Sequence, residues 1–224
     1  MVIRRSRRRK RILQATHESG WKERAARPIP AAARIRASAR ELFDRKGIRD
    51  VSVDEIVDHA GLTKPTFYRC FPSKDDLVVA YLWEISEAFW ERFDLAVAEH
   101  PDDARAQLLD VLGAVEAHVR SYGFRGCGLS NVAVEFADRS HPAWEVVVEH
   151  KRRVRARLVE LAAASGASAP ERLADGLAML IEGASQIGHF LGSAGSAGSL
   201  VEVAAQLIDA NAAARRGSQA RAGF

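Results

Sequence analysis

The sequence predicts an all-α protein of about nine helices, with a three-helix N-terminal domain ahead of a larger helical C-terminal domain. Two observations support this fold class. From residue 31 onward, apolar residues recur at the three- and four-residue spacing of helices with one buried face. Serine and proline residues suited to helix starts, and glycines suited to helix ends, divide the chain into segments. Hydrophobic residues make up 47% of the 224 residues, which is enough for a packed core.

The first two predicted helices are defined by their buried faces and their ends. Ile35 and Leu42 follow helical spacing, and Gly47 is expected to end the first helix. Ser52 and Glu55 form the S-x-x-E pattern of a capping box, in which each side chain bonds the other residue's backbone N–H. The second helix is therefore expected to begin at this pair.

A tight turn at residues 61–63 separates the second helix from a short third one. Thr63 is expected to cap the third helix, and Pro65 is tolerated in its first turn, where N–H groups have no partner to lose. Ser73 is expected to cap a long fourth helix that begins near Lys74. Two helices joined by so short a turn predict a helix-turn-helix, whose second helix is suited to the major groove of DNA.

The stretch from Arg34 to Leu77 reads RIRASARELFDRKGIRDVSVDEIVDHAGLTKPTFYRCFPSKDDL. It closely resembles the N-terminal DNA-binding domain of the TetR/AcrR regulators, over about a fifth of the chain. The resemblance implies a ligand-responsive transcription regulator, a repressor that a small apolar or amphipathic molecule releases from a palindromic operator. It also implies a homodimer formed through the last two helices. Carried over by position, the DNA-contacting residues are Ser52, Thr63, Lys64, Pro65, Thr66, Tyr68, Arg69 and Lys74.

The C-terminal helices are expected to enclose a ligand chamber. Aromatic residues at helical spacing are equally typical of an ordinary core, and Asn131 with Glu135 fits either a ligand contact or a structural pair on one helical face. Histidines without paired Cys/His spacing do not predict a metal site, and no cofactor is expected. The candidate lining residues are Trp90, Phe93, His118, Tyr122, Asn131, Glu135, Trp144, Met179, Gln186 and His189.

Charge is divided unevenly along the chain. The overall formal charge is +4, but the first 80 residues are strongly basic and the remainder is net acidic. A polyanion is therefore expected to bind only the N-terminal part. The basic segment 1–30 is either a solvated tail or an arm that contacts DNA. A helix-turn-helix domain is expected at 31–77, a ligand-binding and dimerisation domain at 78–214, and a flexible tail at 215–224.

Other classes of protein are less well supported. Two cysteines suit a reducing cytosol, no apolar run is long enough to span a membrane, and no secretory signal follows the basic N-terminus. No catalytic motif of a hydrolase, a zinc protease or a nucleotide-binding enzyme occurs, so we expect no enzyme. A basic module that binds RNA or a membrane through its tail alone is the other rival, and it would lose all nucleic-acid binding when residues 1–30 are deleted.

Communication between the two sites is expected to follow the fourth helix. This helix begins at the DNA-binding surface with Ser73 and Lys74 and continues to Trp90 and Phe93. It is the only continuous rigid link that the sequence predicts between the two halves, so a ligand is expected to act through its tilt.

Overall fold

The computed structural model describes residues 30–121, 124–192 and 196–222, with the side chains at 133, 196–197 and 213–222 excepted. These residues form nine α-helices, one 3₁₀ turn and no strand, which confirms the predicted all-α fold. Residues 1–29 of the predicted basic arm lie outside the described part. The helices are α1 Ala31–Lys46, α2 Val53–Ala60, α3 Lys64–Cys70, α4 Lys74–Ala98, α5 Ala104–Val119, α6 Gly128–Glu135, α7 Ala143–Ala164, α8 Pro170–Leu191 and α9 Leu200–Ala222, with the 3₁₀ turn at Ser196–Ser199.

The predicted capping box at the start of α2 is confirmed. The Ser52 hydroxyl accepts a hydrogen bond from the Glu55 N–H at 3.2 Å, and the Glu55 carboxylate accepts one from the Ser52 N–H at 3.0 Å. Ser73 caps α4 in the same way, accepting from the Asp76 N–H at 3.1 Å. Thr63 occupies the N-cap position of α3, but its hydroxyl makes no cap bond. These local bonds fix where α2 and α4 begin.

The turn between α2 and α3 is held from α1. Gly61 has a φ of +60°, the left-handed conformation that ends a helix and that glycine adopts without a side-chain clash. The Arg34 guanidinium donates to the Ala60 carbonyl at 2.5 Å and to the Gly61 carbonyl at 3.2 Å. One side chain of α1 therefore satisfies carbonyl groups that the end of α2 leaves without helical partners.

Two hydrophobic cores lie along the molecule. The first includes Phe67 of α3 and Leu82 of α4, and it also includes Leu129 of α6 and Val146 of α7. The second joins the later part of α4 to α5, α7, α8 and α9, with Leu177 at zero exposure. The first core therefore crosses the expected domain boundary after residue 77, and packs the helix-turn-helix directly against α6 and α7.

The last two helices differ from the prediction at one point. The final helix was expected to end at residue 214, and it instead continues to Ala222.

Gly188 of α8 faces Val119 of α5, and a Cβ at Gly188 would lie only 2.1 Å from Val119 Cγ1. The small residue thus permits an approach between α5 and α8 that a larger side chain would prevent.

Candidate DNA-binding surface and ligand cavity

The third helix presents a polar face to solvent. Phe67 is completely buried against the first core, whereas the neighbouring Tyr68 is 51% exposed. Lys64, Pro65 and Arg69 are exposed as well. Because the buried phenylalanine fixes the rotation of α3, the residues predicted to contact DNA share the outward side, with Thr66 half-buried at its edge.

Three residues predicted to contact DNA already have partners within the protein. The Lys64 ammonium forms an ion pair with Asp54 of α2 at 2.8 Å. The hydrogen bond raises the pKa of Lys64, and the attraction of the Asp54 charge adds to it. Thr63 shares a 3.1 Å hydrogen bond between hydroxyls with Thr66. In the free protein, these side chains are therefore held by α2 and α3 themselves.

The two helix starts behave differently from each other. Ser52 is exposed at the start of α2. The Lys74 ammonium turns inward and donates to the Ile48 carbonyl at 2.6 Å, and burial lowers its pKa. A phosphate at the start of α4 would consequently meet backbone N–H groups rather than the Lys74 side chain.

A cavity of about 590 Å³ lies between the helix-turn-helix and the C-terminal helices. Its apolar wall includes Phe89 and Phe93 of α4, Val111 and Val115 of α5, and Ile181 of α8. This volume falls within the range of roughly 300–1,000 Å³ that is typical of small-molecule sites. The end of α1, the loop before α6, and parts of α6 and α7 also line it.

Half of the predicted ligand-binding residues line this cavity, and the others are placed elsewhere or lie outside the described part. Tyr122 is not described. Trp90 is buried in the second core, with the Arg153 guanidinium 3.9 Å from its ring centroid. Trp144 donates its indole N–H to the Phe136 carbonyl at 2.9 Å. The lining residues are Phe93, His118, Asn131, Glu135 and His189.

Met179 and Gln186 lie on the outside of α8. Met179 is 72% exposed and Gln186 is also exposed, and neither lines the large cavity. Both are expected from the sequence to line the chamber, but the buried face of α8 is the one that includes Leu177 and Ala184, and it leaves Met179 and Gln186 on the outside. The two predicted ligand contacts therefore belong to a surface that the protomer leaves open.

Several cavity residues were not predicted from the sequence. Six of them come from the end of α1 and the residues after it, so the DNA-binding half itself forms one side of the cavity. No local pattern marks such residues, because their position depends on packing between distant segments. They are Arg40, Phe43, Asp44, Arg45, Gly47 and Ile48.

Two residues of the C-terminal half hold this end of α1. The Glu135 carboxylate accepts from the backbone N–H groups of Ile48 at 2.6 Å and Arg49 at 2.9 Å. Arg125 donates to the carbonyls of Asp44 at 2.9 Å and Arg45 at 2.6 Å. We name these bonds the α1 clamp. The expectation that α4 is the only rigid link is corrected, since the clamp forms a second connection between the halves.

His150, a buried residue of the cavity lining, has a polar partner. His150 shares a 2.9 Å hydrogen bond with the buried Ser86. Burial, with help from the nearby charges of Lys151 and Arg153, lowers the pKa of His150 to about 4, although Glu182 opposes this shift. The imidazole is consequently neutral at physiological pH, and no charge has to be solvated beneath the apolar wall.

The described part of the chain has neither a membrane-spanning helix nor a cluster of metal-ligating side chains. None of its helices combines the length and the apolar character needed to cross a bilayer. Its His, Cys, Asp and Glu side chains form no group of three or more that would hold a metal ion.

Comparisons with known proteins agree with this architecture. Residues 35–81 match the family model described as bacterial regulatory proteins, tetR family. The HTH-type transcriptional regulator EthR of Mycolicibacterium smegmatis is 31% identical over 102 residues, which cover 45% of this chain. The same match covers 46% of that protein, so the chain spans about half the length of this curated relative.

Two solved structures are similar over most of the chain. A TetR-family transcriptional regulator from Streptomyces coelicolor has a TM-score of 0.73 and 28% identity, over 82% of this chain and 94% of its own. A TetR-type regulator from Streptomyces avermitilis has a TM-score of 0.68 and 30% identity, over 81% of this chain and 97% of its own. The outward-facing helix-turn-helix and these matches together identify a DNA-binding transcription regulator. The chain belongs to the TetR family.

Proposed function

We propose that this regulator is a repressor that binds a palindromic operator as a homodimer, and that a small apolar or amphipathic molecule in the cavity releases it. The observation that carries the proposal is the position of the cavity. One side is the apolar wall of α4, α5 and α8, and the other is the end of α1. A bound molecule would therefore touch the DNA-binding half directly, and its free energy of binding is able to favour one position of that half.

The proposed DNA contacts are those of the outward face of α3 and the starts of α2 and α4. Tyr68 and Arg69 are free to reach base edges and phosphates, and Lys64 reaches them once it leaves Asp54. Ser52 and the backbone at Lys74 lie where helix N-termini attract phosphate. The full proposed set is Ser52, Thr63, Lys64, Pro65, Thr66, Tyr68, Arg69 and Lys74.

The proposed dimer interface is the outer face of α8 with α9. On α8, Phe190 is 75% exposed and both Met179 and Leu191 are exposed as well, and Val203 is exposed on α9. Large apolar side chains grouped on one surface are typical of an interface rather than of a free surface. A two-fold dimer would place two recognition helices on successive major grooves, roughly 34–36 Å apart.

Sedimentation of two variants tests this interface. Phe190→Glu introduces a charge into the proposed interface, and we expect it to convert the dimer to a monomer. Val134→Glu places the same charge on α6, where Val134 is 86% exposed, and we expect the dimer to persist. A dimer that survives Phe190→Glu would move the interface away from α8.

The DNA and ligand functions are tested together. Selection of bound sequences from a random duplex pool should give a palindromic operator, and thermal-shift screening of small amphiphiles should give a ligand. Coupling is reciprocal, so operator DNA must weaken ligand binding by the same factor as the ligand weakens operator binding. Equal ligand affinity with and without operator, measured by calorimetry, would exclude ligand-controlled release while leaving DNA binding intact.

A further inference from the structure

The acidic groups that line the cavity have partners within the protein. Glu135 is held by the backbone N–H groups of the α1 clamp. Asp44 accepts from the Tyr81 hydroxyl at 2.6 Å. Glu182 pairs with the Lys151 ammonium and accepts from Ser130 at 2.9 Å. Since each carboxylate is already bonded, a cationic ligand would have to displace an existing contact to find a counter-charge.

Arg92 of α4 differs from these groups. It lines the cavity directly before Phe93 in the sequence and is half-buried. Among the described residues, its guanidinium has neither an ion pair nor a hydrogen bond. Burial lowers the pKa of Arg92, and the adjacent charge of Glu91, an exposed residue, offsets this only in part. The cavity therefore contains a half-buried positive charge without a bonded counter-ion, which is an unfavourable arrangement unless a ligand supplies one.

A second basic group lies close to Arg92. His118 of α5 lines the same cavity, and its pKa is lowered by burial and by the positive charge of Arg92. The imidazole is thus kept neutral beside the guanidinium and retains one N–H to donate. Together, the two side chains provide several hydrogen-bond donors, and the guanidinium fork fits the two oxygens of a carboxylate.

The remaining wall next to Arg92 is apolar. Phe89 and Phe93 lie on the same helix, with ring centroids 6.1 Å apart, and Val111 and Val115 face the cavity from α5. A molecule with one anionic group and an apolar body would match this combination. A fully apolar molecule would instead leave the guanidinium desolvated and unpaired, which reduces its affinity.

We propose that the effector is an amphipathic anion whose carboxylate, or a similar anionic group, binds Arg92 with help from His118, while its apolar part packs on Phe89, Phe93 and Val115. This inference rests on the proposed function of the cavity as an effector site, and names the chemical class of the effector. It excludes cationic amphiphiles, which the paired carboxylates do not favour.

Calorimetry with matched probes tests the assignment on the full-length protein. Each linear carboxylate from hexanoate to tetradecanoate is compared with the alcohol of the same chain length. We expect the carboxylate to bind about tenfold more tightly or better, since charge-assisted hydrogen bonds are the stronger kind. Arg92→Met removes the charge at similar length and should abolish the preference. Arg92→Lys keeps the charge and should retain most of it.

Arg152→Met is the matched control, because Arg152 is an exposed arginine of α7 that does not line the cavity. It should keep the full preference. Equal binding of carboxylates and alcohols, no binding by any carboxylate, or a preference that survives Arg92→Met would overturn the assignment.

Operator binding is measured on the same samples. If a neutral amphiphile releases the operator, the proposed function stands and only the anionic class fails. If no cavity ligand changes operator binding, the proposed function fails instead.

Discussion

The Glu135 carboxylate accepts a hydrogen bond from the Ile48 N–H at 2.6 Å, across a sequence separation of 87 residues. The same carboxylate accepts from the Arg49 N–H, at a point where the chain has just left α1 and has no helical partner for these groups. Glu135 thereby supplies an acceptor for two N–H groups that follow α1, and it does so from the other half of the protein. A residue predicted to contact ligand thus also determines where the DNA-binding half lies.

Glu135→Ala should lower the free energy of unfolding by about 1–2 kcal/mol, because it leaves two backbone donors without their acceptor. It should also reduce the effect of the ligand on operator affinity, since one connection between the halves is lost. Chemical denaturation and operator titrations measure the two effects. Glu149→Ala removes an exposed glutamate from α7 and should change neither. Full ligand response in Glu135→Ala would show that the clamp does not transmit it.

Tyr68→Phe and Lys64→Ala should each weaken specific operator binding about tenfold or more, because base-edge contacts typically contribute ~1–3 kcal/mol. Both side chains are exposed, so the melting temperature should stay near that of the wild type. Fluorescence anisotropy with labelled operator measures the affinity. Arg172→Ala, an exposed cation of α8, serves as the control. Unchanged binding by both α3 variants would remove the recognition assignment.

Asp54→Asn should strengthen DNA binding several-fold at low salt. The substitution releases Lys64 from its 2.8 Å ion pair and also removes a negative charge near the DNA phosphates. Asp58→Asn removes another negative charge of α2 that acts on Lys64, but it leaves the Lys64–Asp54 pair intact. Its gain in DNA affinity should therefore be smaller. Titrations at several salt concentrations separate the two, because each additional phosphate contact steepens the salt dependence. Equal gains would mean that only overall charge matters.

The stability of the protein should fall as the pH is lowered through the range set by His150. Its pKa is about 4 in the folded protein and 6.5 in its ordinary state, so the unfolded chain binds the proton more readily. The contribution of neutral His150 is complete above pH 6.5, and about 3 kcal/mol should be lost on lowering the pH to 4. Urea unfolding across this range measures the loss, which His150→Gln should reduce. His59→Gln, at an exposed histidine, should leave it unchanged.

Features fixed by neighbouring residues were predictable from the sequence. The Ser52–Glu55 capping box and the burial of Phe67 beside exposed Tyr68 depend on spacing within one or two helices. Helical periodicity identifies the buried face of a helix, but not which other helices or cavities that face packs against. Trp90 was assigned to the cavity and packs in the second core, while Met179 lies on the outer surface.

Long-range contacts were beyond prediction for the same reason. Asn131 and Glu135 were expected to share one helical face as a ligand contact or a structural pair. Both line the cavity, but Glu135 bonds the backbone after α1, far away in the sequence. Arg92 lies on α4 between Trp90 and Phe93, and its lack of a bonded partner among the described residues becomes visible only when the walls around it are known.

The cavity side formed by the end of α1 limits how this protein can be recombined. A hybrid made by joining its C-terminal half to another DNA-binding domain after residue 77 would bring a foreign α1, and with it a different cavity side. Its ligand affinity would change although no residue of the transplanted half had been altered. To preserve the proposed ligand site, the exchanged unit has to carry residues 40–48 along with the partners that hold them, Arg125 and Glu135. The two halves are thus separate along the chain, but the walls of the cavity belong to both.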